Sequence, residues 1–368
     1  MARFDYPARI RQLRLPADRR ILVVSDIHAN VPYFEGLLKR VGFSDRDILI
    51  LDGDFLEKGA ESLRTLHIVM ELCSRGNTYA LCGNCDNWDD IFAPDWTERD
   101  DEHTLHYVLW RKCGLLWDMC NQSGLDPFAV EDFTQVKGLL RKRYEKEFAF
   151  LHSLPHAIET ENFVFAHAGM RPDKPLRQHT APELYRWDRF RDLGWSFDRW
   201  LIVGHYPVVL YGTDTVCANP IIDAERKLIS IDGGCVLKDD GQLNALIIPH
   251  KDSEDFRFLA YDPFPEKTVR QAQAASDRSY YIRWGDSRVQ VLERGEEFSR
   301  CRHVRTGYEM DILTRYLFTD APVTDCNDCT DYVLPLRPGD RVRVVEETSR
   351  GYFVKHNGVS GWYFGDLA

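Results

Sequence analysis

The sequence has no long hydrophobic run, no excess of basic residues and no framework of cysteines. No apolar run approaches the ~18 residues of a membrane-spanning helix, and the basic start MARFDYPARIRQLRLPADRR has no apolar segment of the kind found in secretion signals. The formal net charge of −11 argues against a broad binding surface for polynucleotides or anionic membranes. The 10 cysteines lack the compact spacing of a disulfide scaffold and fit reduced thiols. We therefore expect a cytoplasmic protein with no membrane partner, and polynucleotides are disfavoured as substrates.

The chain does have the length and composition of a globular protein with more than one domain. Its 368 residues exceed the usual size of a single domain, and they are 44% hydrophobic and 29% charged. We predict a catalytic domain at 1–262, a linker at 263–279 and a β-rich region at 280–368. The linker is predicted because DPFPEKTVRQAQAASDRS is rich first in proline and then in polar residues.

Short apolar runs alternate with helical patterns from Arg20 to about Ile248. The runs ILVVSD, DILILDGD and TYALCGN are separated by YFEGLLKRVGF and ESLRTLHIVMELCSRG. This alternation predicts an α/β fold with a largely parallel sheet, and continuously apolar runs are typical of strands covered on both faces. Residues 88–155 mix aromatic and charged residues at helical spacing, so we predict a helical insertion there.

Five of the predicted strands are followed by short polar motifs, here called polar words. They are SDIHAN, DGDFLEKG, GNCD, FAHAG and VGHYP. Because the carboxyl ends of parallel strands gather at one edge of a sheet, these words should converge in one crevice. They supply six candidate metal ligands, namely Asp26, His28, Asp54, Asn84, His167 and His205. This set of oxygen and nitrogen donors suits two divalent ions such as Mn²⁺, Fe²⁺ or Zn²⁺, with Asp54 as the bridge. Two ions about 3.5–4 Å apart can activate water and clamp phosphoryl oxygens, so the motifs predict hydrolysis of phosphate esters.

In this order, the five words resemble the motifs of the calcineurin-like metallophosphoesterases. HAG, GHYP and the later SIDGGCVLKDDGQLNALII are similar to the phosphoprotein phosphatase branch, which includes bacterial protein phosphatases and diadenosine tetraphosphatases. The resemblance covers about residues 20–250. It implies a four-layer sandwich of two packed sheets flanked by helices, the same six ligands and a metal-bridging hydroxide as the nucleophile. The two ions are expected to be Mn²⁺ in preference to Fe²⁺/Fe³⁺ or Zn²⁺.

The second motif departs from that branch. The branch normally has Gly-Asp-x-x-Asp-Arg-Gly, whose Arg holds the substrate phosphate and whose second Asp orients a catalytic His; this chain has Glu57 and Lys58 there. We expect Lys58 to bind phosphate as a point charge and Glu57 to be catalytic, the alternative for both being a solvated turn. Arg189 in LYRWDRF resembles the Trp-x-Arg segment of the branch and is predicted to bind phosphate, with Arg171 in HAGMRP as the alternative.

The third motif departs as well, because Cys85 stands where the branch has the His that protonates the leaving group. A positioned general acid contributes about 10²–10⁴ in rate, so its loss should favour leaving groups that need little protonation. We expect a phosphoprotein phosphatase-like enzyme that prefers phosphotyrosine or aryl phosphates, in a phosphorylated protein or a small phosphoester. Two roles for Cys85 stay open, a catalytic proton donor and a small apolar residue packed behind the metals.

Two other functions are compatible with the sequence. The word GNCD also resembles the small phosphodiesterase branch of the superfamily, which keeps a phosphodiesterase or a dinucleoside polyphosphate hydrolase as an alternative. An inactive metal-binding scaffold is the second alternative, although the complete ligand set argues against it.

The C-terminal region has the short alternating runs of an all-β module. Residues from about 312 to 368 resemble a bacterial SH3-like domain on the words GDRVRVV and NGVSGW, which implies a peptide or protein ligand. Cys326 and Cys329 form a CxxC pair with Cys301 and His303 upstream, a zinc hypothesis whose spacing fits no common zinc site.

Overall fold

A computed structural model describes residues 6–88, 98–129 and 133–368. The chain divides into two compact units. The first comprises Met1–Pro207, Pro220–Leu237 and Gly241–Asp262, and the second comprises Val208–Asn219, Lys238–Asp240 and Pro263–Ala368.

Strands outnumber helices among the described elements. In chain order, the strands are β1 (Ile10–Gln12), β2 (Ile21–Val24), β3 (Ile48–Asp52), β4 (Thr78–Leu81), β5 (Ala157–Glu159), β6 (Phe163–Phe165), β7 (Trp200–Val203), β8 (Val216–Cys217), β9 (Ile221–Asp223), β10 (Leu228–Ser230), β11 (Leu243–Ile248), β12 (Arg257–Tyr261), β13 (Glu266–Thr268), β14 (Tyr281–Ile282), β15 (Arg288–Glu293), β16 (Phe298–His303), β17 (Glu309–Leu313), β18 (Val323–Asp325), β19 (Cys329–Thr330), β20 (Arg341–Thr348), β21 (Gly351–His356) and β22 (Val359–Tyr363). The helices are α1 (Val31–Val41), α2 (Ser62–Ser74), α3 (Glu98–Arg111), α4 (Leu115–Gln122), α5 (Phe133–Arg143), α6 (Glu145–Ser153) and α7 (Pro182–Tyr185). Short 3₁₀ turns occupy Pro127–Ala129, Leu176–Gln178, Phe190–Leu193, Val208–Tyr211 and Thr314–Tyr316.

Two sheets form the first unit. One has the strand order β1-β5-β6-β7-β10-β9 and the other has the order β12-β11-β2-β3-β4. The pairs β2–β3, β3–β4, β6–β7 and β7–β10 are parallel, whereas β11–β12 and β9–β10 are antiparallel. The pair β1–β5 is also parallel, and the pairs β2–β11 and β5–β6 are antiparallel. Both sheets are therefore mixed, so the largely parallel sheet that the sequence predicted is found only in part. Strands β2 and β3 are buried along their whole length, as predicted.

Side chains from both sheets share one hydrophobic core. Val23, Ile50 and Leu246 of the five-stranded sheet belong to the same buried cluster as Phe165 and Ile202 of the six-stranded sheet. Removal of this apolar surface from water holds the two sheets face to face.

Helices and loops cover the opposite face of each sheet. Phe34 of α1 and Leu66 of α2 pack with Leu51 of β3, and Leu184 of α7 packs with Val203 of β7. The strands are thus covered on both sides, which explains why their sequences are continuously apolar rather than alternating.

Helix α1 shows how the first polar word is positioned. The side chain of Asn30 accepts a hydrogen bond from the N–H of Tyr33, at 3.3 Å, and so caps the helix. The helix ends at Gly42, whose φ of 62° closes the left-handed cap. The residues between β2 and this cap are therefore held in a short, fixed loop.

Between β4 and β5 the described chain forms helices α3 to α6, whereas residues 89–97 and 130–132 of the predicted insertion lie outside the described residues. The helical pattern predicted across Leu140, Tyr144, Phe148 and Leu151 is divided into two helices. Tyr144 breaks it with φ of −112°, and its hydroxyl donates to the carbonyl oxygen of Met119 at 3.3 Å. The buried tyrosine therefore joins this pair of helices to α4.

The second unit contains only β-strands and turns among its described elements. One antiparallel sheet has the order β13-β20-β21-β22-β8, a second has the order β17-β16-β15-β18, and β14 pairs with β19. Asn357 and Gly358, with φ of 51° and 81°, form the two-residue turn between β21 and β22. The segment 263–279, predicted as a linker, contributes β13, which pairs with β20.

The CxxC pair lies within the core of this unit. Cys326 packs with Cys301 in a buried cluster, and the Sγ of Cys326 donates to the carbonyl oxygen of Ser287 at 3.3 Å. The ring nitrogens of His303 contact Thr306 and Asp286 at 2.8 and 3.0 Å. In the described part of the chain, the groups of side chains suited to a metal ion lie elsewhere, so the zinc hypothesis finds no support.

Among the described helices, none is both long and apolar enough to cross a membrane.

Replacing Ile50 by Ala should weaken the core shared by the two sheets. Ile50 is fully buried there, and large-to-small changes at such sites cost about 2–5 kcal/mol. The free energy of unfolding should be measured in urea for Ile50→Ala and for Ile222→Ala, which alters an exposed isoleucine on β9. Equal losses in the two variants would contradict a core built from both sheets.

Candidate metal centre

Each ligand predicted from the sequence follows the end of a strand. By strand, they are Asp26 and His28 after β2, Asp54 after β3, Asn84 after β4, His167 after β6 and His205 after β7. Because the two sheets share one core, loops from both sheets can contribute to a single site.

Hydrogen bonds tie these loops together. The N–H of Asp26 donates to the carbonyl oxygen of Gly53 at 3.0 Å, and the N–H of His28 donates to that of Asp54 at 3.0 Å. Between the sheets, the N–H of His205 donates to Oδ2 of Asp26 at 3.0 Å. The carboxylate of the first motif therefore positions the last motif.

Backbone strain is concentrated in these loops. Asp26, His28, Asp54 and His205 have φ of 54°, 49°, 51° and 67°. Left-handed conformations of non-glycine residues cost on the order of 1–3 kcal/mol each and are kept only where the surroundings hold them. Such strain is commonest at functional sites, and here it falls on the predicted ligands.

Two glycines let the backbone approach the carboxylates. A Cβ atom on Gly83 would collide with Oδ1 of Asp54, and one on Gly204 would collide with Oδ2 of Asp26. The glycines in GNCD and VGHYP are therefore required by close packing around the ligands.

Two groups of donor atoms in the described chain are close enough to hold a metal ion, and they share Asp54. In the first group, donor atoms of His28, Asp54 and Cys85 lie within 4.8 Å of one another. In the second, donor atoms of Asp54, His167 and His205 lie within the same distance. A carboxylate common to two such groups is in the position of a bridging ligand.

The orientation of two imidazoles leaves one nitrogen of each for a metal. Nδ1 of His167 lies 2.8 Å from the carbonyl oxygen of Asp52 and therefore carries the hydrogen. Nδ1 of His28 lies 3.4 Å from the carbonyl oxygen of Leu56. In both rings Nε2 is directed to the ligand cluster, at 3.3 Å from Oδ1 of Asp54 for His167 and 3.7 Å from Oδ1 of Asp26 for His28.

Two buried oxygens in the cluster lack hydrogen-bond partners in the described part of the chain, Oδ1 of Asp26 and Oδ1 of Asn84. A buried polar atom without a partner costs about 1–3 kcal/mol. The amide of Asn84 donates from Nδ2 to the sulfur of Cys85 at 3.4 Å, which leaves its oxygen as the available ligand atom. Both oxygens fit the coordination of divalent cations.

The carboxylates of the site interact strongly. Burial, followed by repulsion from Asp232, raises the pKa of Asp26 well above its ordinary value. Burial alone would raise the pKa of Asp54 too, but the charge and hydrogen bond of His167, together with the charges of His28 and His205, outweigh burial and lower that pKa. Several buried carboxylates in one place require nearby positive charge, which divalent ions supply.

Two histidines are held in the neutral form that binds metals. Burial lowers the pKa of His28 to about 4. Burial, followed by the charge of His167, lowers the pKa of His205 to about 3. Neutral imidazole is the ligating form, so both side chains are ready to bind a cation at neutral pH.

Asp86, the last residue of GNCD, braces the site. Its Oδ2 accepts the N–H groups of Asp54 at 2.6 Å and Gly83 at 3.0 Å, and its Oδ1 accepts that of Leu56 at 3.0 Å. Burial, followed by the charge of Asp54, raises the pKa of Asp86 to about 8. This one carboxyl group therefore fixes the loops after β3 and β4 relative to each other.

The insertion fixes the loop that carries Glu57 and Lys58. Oε1 of Glu57 accepts the N–H of Leu115, at 2.7 Å, at the start of α4, and burial raises the pKa of Glu57 to about 7. The guanidinium of Arg111 donates to the carbonyl oxygen of Lys58 at 3.4 Å, and Sγ of Cys113 lies 3.6 Å from the same oxygen. The side chain of Glu57, which was predicted to be catalytic, therefore accepts a hydrogen bond that positions the start of α4.

The arginines predicted to bind phosphate are both in ion pairs. Arg189 contacts Asp192 at 2.6 Å, and Arg171 contacts Asp173 at 2.6 Å on the surface. Lys58 makes no ion pair with any described residue, and its charge acts on both His28 and Cys85.

Sequence reasoning missed three residues around the site. The sequence assigned no role to Asp86, because its brace depends on backbone donors that no motif reveals. Arg186, in the same word as Arg189, stacks on the ring of Tyr185 at 5.7 Å and is among the smaller causes, after burial, of the low pKa of His205. Tyr107 lies near Glu57, since burial and then the charge of Glu57 raise its pKa to about 12.

Comparison with known proteins agrees with this chemistry. Residues 19–219, more than half of the chain, match the model of the calcineurin-like phosphoesterase family. The chain belongs to the calcineurin-like phosphoesterase family. It is therefore a metallophosphoesterase, a hydrolase of phosphate ester bonds, and the family uses a dinuclear site of divalent metals.

Solved structures with a similar fold include several phosphatases. A candidate diadenosine tetraphosphatase is 18% identical, with 70% of this chain and 99% of that chain covered and a TM-score of 0.44. A protein serine/threonine phosphatase from Saccharomyces cerevisiae is 12% identical, with coverage of 70% and 85% and a TM-score of 0.42. A cold-active protein-tyrosine phosphatase of a psychrophile Shewanella sp. is 12% identical, with coverage of 65% and 78% and a TM-score of 0.39. At these scores the similarities support no statement about the substrate, and no curated protein matches the chain significantly.

Asp86→Asn should weaken metal binding in this metallophosphoesterase. An amide has one accepting oxygen and would face backbone N–H groups with its own NH₂, so the loops around Asp54 would lose their brace. Loss of such an outer partner lowers metal affinity about 10- to 100-fold, measurable by calorimetric titration with Mn²⁺ or Zn²⁺.

Asp118→Asn is the matched control. Its carboxylate accepts the N–H of Leu63 at 3.0 Å, at the start of α2 and outside the ligand set. The control should lose stability without losing metal affinity. Wild-type affinity in Asp86→Asn would contradict the brace.

Proposed function

We propose that the protein is a phosphoprotein phosphatase-like hydrolase that favours monoesters with good leaving groups, such as phosphotyrosine or aryl phosphates. One observation carries the proposal, namely that two groups of metal-binding donors share Asp54. The chemical reason for the substrate preference is Cys85, a thiol where an imidazole acid would be expected.

The proposed ligands form two sets joined by a bridging carboxylate. Asp26, His28 and Asp54 would hold one ion, and Asp54, Asn84, His167 and His205 would hold the other. When bound, the two ions supply an activated water and neutralise charge on the phosphoryl oxygens. The chain itself supplies the fixed loops and two neutral imidazoles, those of His28 and His205.

Lys58 is proposed as the main protein cation for the substrate phosphate. It is free of carboxylate partners in the described part of the chain, and its charge reaches both His28 and Cys85. Arg189 is held by Asp192 and must exchange that partner before it binds phosphate. Arg186 makes no ion pair with a described residue and is the better candidate for a second contact near His205.

The proton donor for the leaving group is the weak part of this site. Burial, followed by the negative charge of Asp54, raises the pKa of Cys85 well above its ordinary value, and a thiol is a poor donor. Alkoxides from serine or threonine need a proton most, whereas a phenolate with a pKa of about 10 needs far less help. The proposed preference for aryl esters follows from this difference.

Phosphodiesters and dinucleoside polyphosphates are the second candidate class. The observation in their favour is the same thiol, because their leaving groups also depart without strong acid assistance. An inactive scaffold has less support, since Nε2 of His28 and of His167 is left available for a metal by the contacts of Nδ1.

We also propose that the first unit is the four-layer sandwich of the family and that the end of the second unit is an SH3-like module. The sharp two-residue turn between β21 and β22 supports such a module. Trp362 stacks on the exposed ring of Phe364 and contacts Phe353, so a peptide or protein is the proposed ligand. The 10 free thiols support the proposed cytoplasmic location.

Lys58→Ala should lower kcat/KM for p-nitrophenyl phosphate by about 10- to 100-fold, because a charge-assisted contact with phosphate contributes about 1.5–3 kcal/mol. Arg171→Ala is the control, since its guanidinium is exposed and paired with Asp173, and it should change kcat/KM little. A larger loss in Arg189→Ala than in Lys58→Ala would contradict the assignment of Lys58.

The proposed function is tested by steady-state rates on four substrates, namely phosphotyrosine, phosphoserine, bis-p-nitrophenyl phosphate and diadenosine tetraphosphate. We expect phosphotyrosine to exceed phosphoserine, and Asp54→Asn to abolish all of these activities. A preference for phosphoserine would refute the leaving-group argument, and a preference for either of the last two would favour the second class. Activity retained in Asp54→Asn would remove the bridging carboxylate from the mechanism.

A further inference from the structure

The sulfur of Cys85 lies beside two of the proposed metal-binding donors. Its Sγ lies within 4.8 Å of donor atoms of both His28 and Asp54, which also lie within this distance of each other. Neighbouring ligands on one tetrahedral ion are roughly 3–4 Å apart when metal–sulfur and metal–nitrogen bonds are about 2.3 and 2.0 Å. Small side-chain shifts therefore suffice to bring these three donors onto one ion.

Two hydrogen bonds fix the position of this sulfur. The N–H of Cys85 donates to Oδ1 of Asp54 at 2.8 Å, and Nδ2 of Asn84 donates to Sγ of Cys85 at 3.4 Å. A thiolate accepts such a bond better than a thiol does. The same amide keeps its oxygen, which has no hydrogen-bond partner among the described residues, available to the neighbouring ion.

A second buried atom marks the same position as a cation site. Oδ1 of Asp26 has no hydrogen-bond partner in the described chain, the residue is 1% exposed, and this oxygen lies 3.7 Å from Nε2 of His28. The ammonium group of Lys58 adds a positive charge beside Cys85. The unpartnered oxygen of Asp26 and the imidazole nitrogen of His28 therefore mark a cation site beside this sulfur.

We propose that Cys85 is a thiolate ligand of the metal ion held by Asp26, His28 and Asp54. On binding, the thiol proton leaves to solvent and a metal–sulfur bond forms, a reaction that a divalent ion drives by its charge. This inference rests on the dinuclear centre of the proposed function and makes it asymmetric, with sulfur on one ion only.

Two consequences follow for the chemistry. Thiolate ligands favour Zn²⁺ and Fe²⁺ over Mn²⁺, so the preference for Mn²⁺ expected from oxygen and nitrogen donors is reversed at this ion. A coordinated thiolate also has no proton to donate, which excludes Cys85 as the acid for the leaving group.

Reconstitution with Co²⁺ tests the proposal without reference to turnover. Thiolate–cobalt bonds give an intense near-ultraviolet charge-transfer band, which oxygen and nitrogen ligands do not give. We expect this band in the wild type and in Cys113→Ser, whose thiol contacts Lys58 on the neighbouring loop. Cys85→Ser and Cys85→His should lose the band while the visible bands of bound Co²⁺ remain.

Competition between ions gives a second readout. Loss of a residue that only hydrogen-bonds a metal ligand lowers metal affinity about 10- to 100-fold. Loss of a direct thiolate ligand should cost at least as much for Zn²⁺ and less for Mn²⁺. The ratio of Zn²⁺ affinity to Mn²⁺ affinity should therefore be at least about tenfold lower in Cys85→Ser than in the wild type. A wild type that binds two Co²⁺ ions without the charge-transfer band, or a band that persists in Cys85→Ser, would overturn the ligand role and leave the proposed function standing. A wild type that binds no Co²⁺ would overturn both.

Discussion

The structure depends on how buried negative charge is balanced at the ends of the strands. Asp26, Asp54 and Asp232 interact within one site, and burial opposes ionisation of each carboxylate there. The protein offers His167 as one counter-charge, because its pKa remains well above its ordinary value against the opposing effect of burial. A divalent ion bound at Nε2 of His167 would take over this counter-charge, because the ring binds a metal only after it loses that proton. The contact of Nδ1 with the carbonyl oxygen of Asp52 leaves Nε2 as the ligand atom.

The scaffold contributes rigidity at this place. The two sheets share a core. The loops at the ends of their strands can therefore contact one another directly. Asp86 joins the loops after β3 and β4, and Oδ2 of Asp26 holds the loop after β7. The strained left-handed residues persist because each is held by such contacts, and the donors are positioned before an ion binds.

Much of the candidate site was predictable because its proposed ligands are local features of the sequence. Each ligand follows an apolar strand in a short polar word, and parallel strands bring such words together whatever the intervening chain contains. The words therefore predicted Asp54 as the residue common to both donor groups. The apolar runs that alternate with helical patterns predicted the α/β class, since strands covered on both faces are continuously apolar.

Other features depend on contacts between distant residues and could not be predicted this way. No pattern in GNCD shows that Asp86 accepts backbone N–H groups from another loop. Glu57 was expected to act in catalysis, yet its carboxylate contacts the first turn of α4, a partner some 58 residues away. Arg189 matched a family motif, but the motif does not reveal its ion pair with Asp192.

The motif and the structure suggest different consequences of Cys85. In the motif, the cysteine replaces a histidine that would donate a proton to the leaving group. In the structure, its sulfur lies close to donor atoms of His28 and Asp54, which suggests an additional metal ligand. The most direct test of the whole account is anomalous diffraction from crystals grown with Zn²⁺. Two peaks that share Asp54 are expected, one beside His28 and Cys85 and the other beside His167 and His205. A single peak, or two peaks that do not share Asp54, would contradict it.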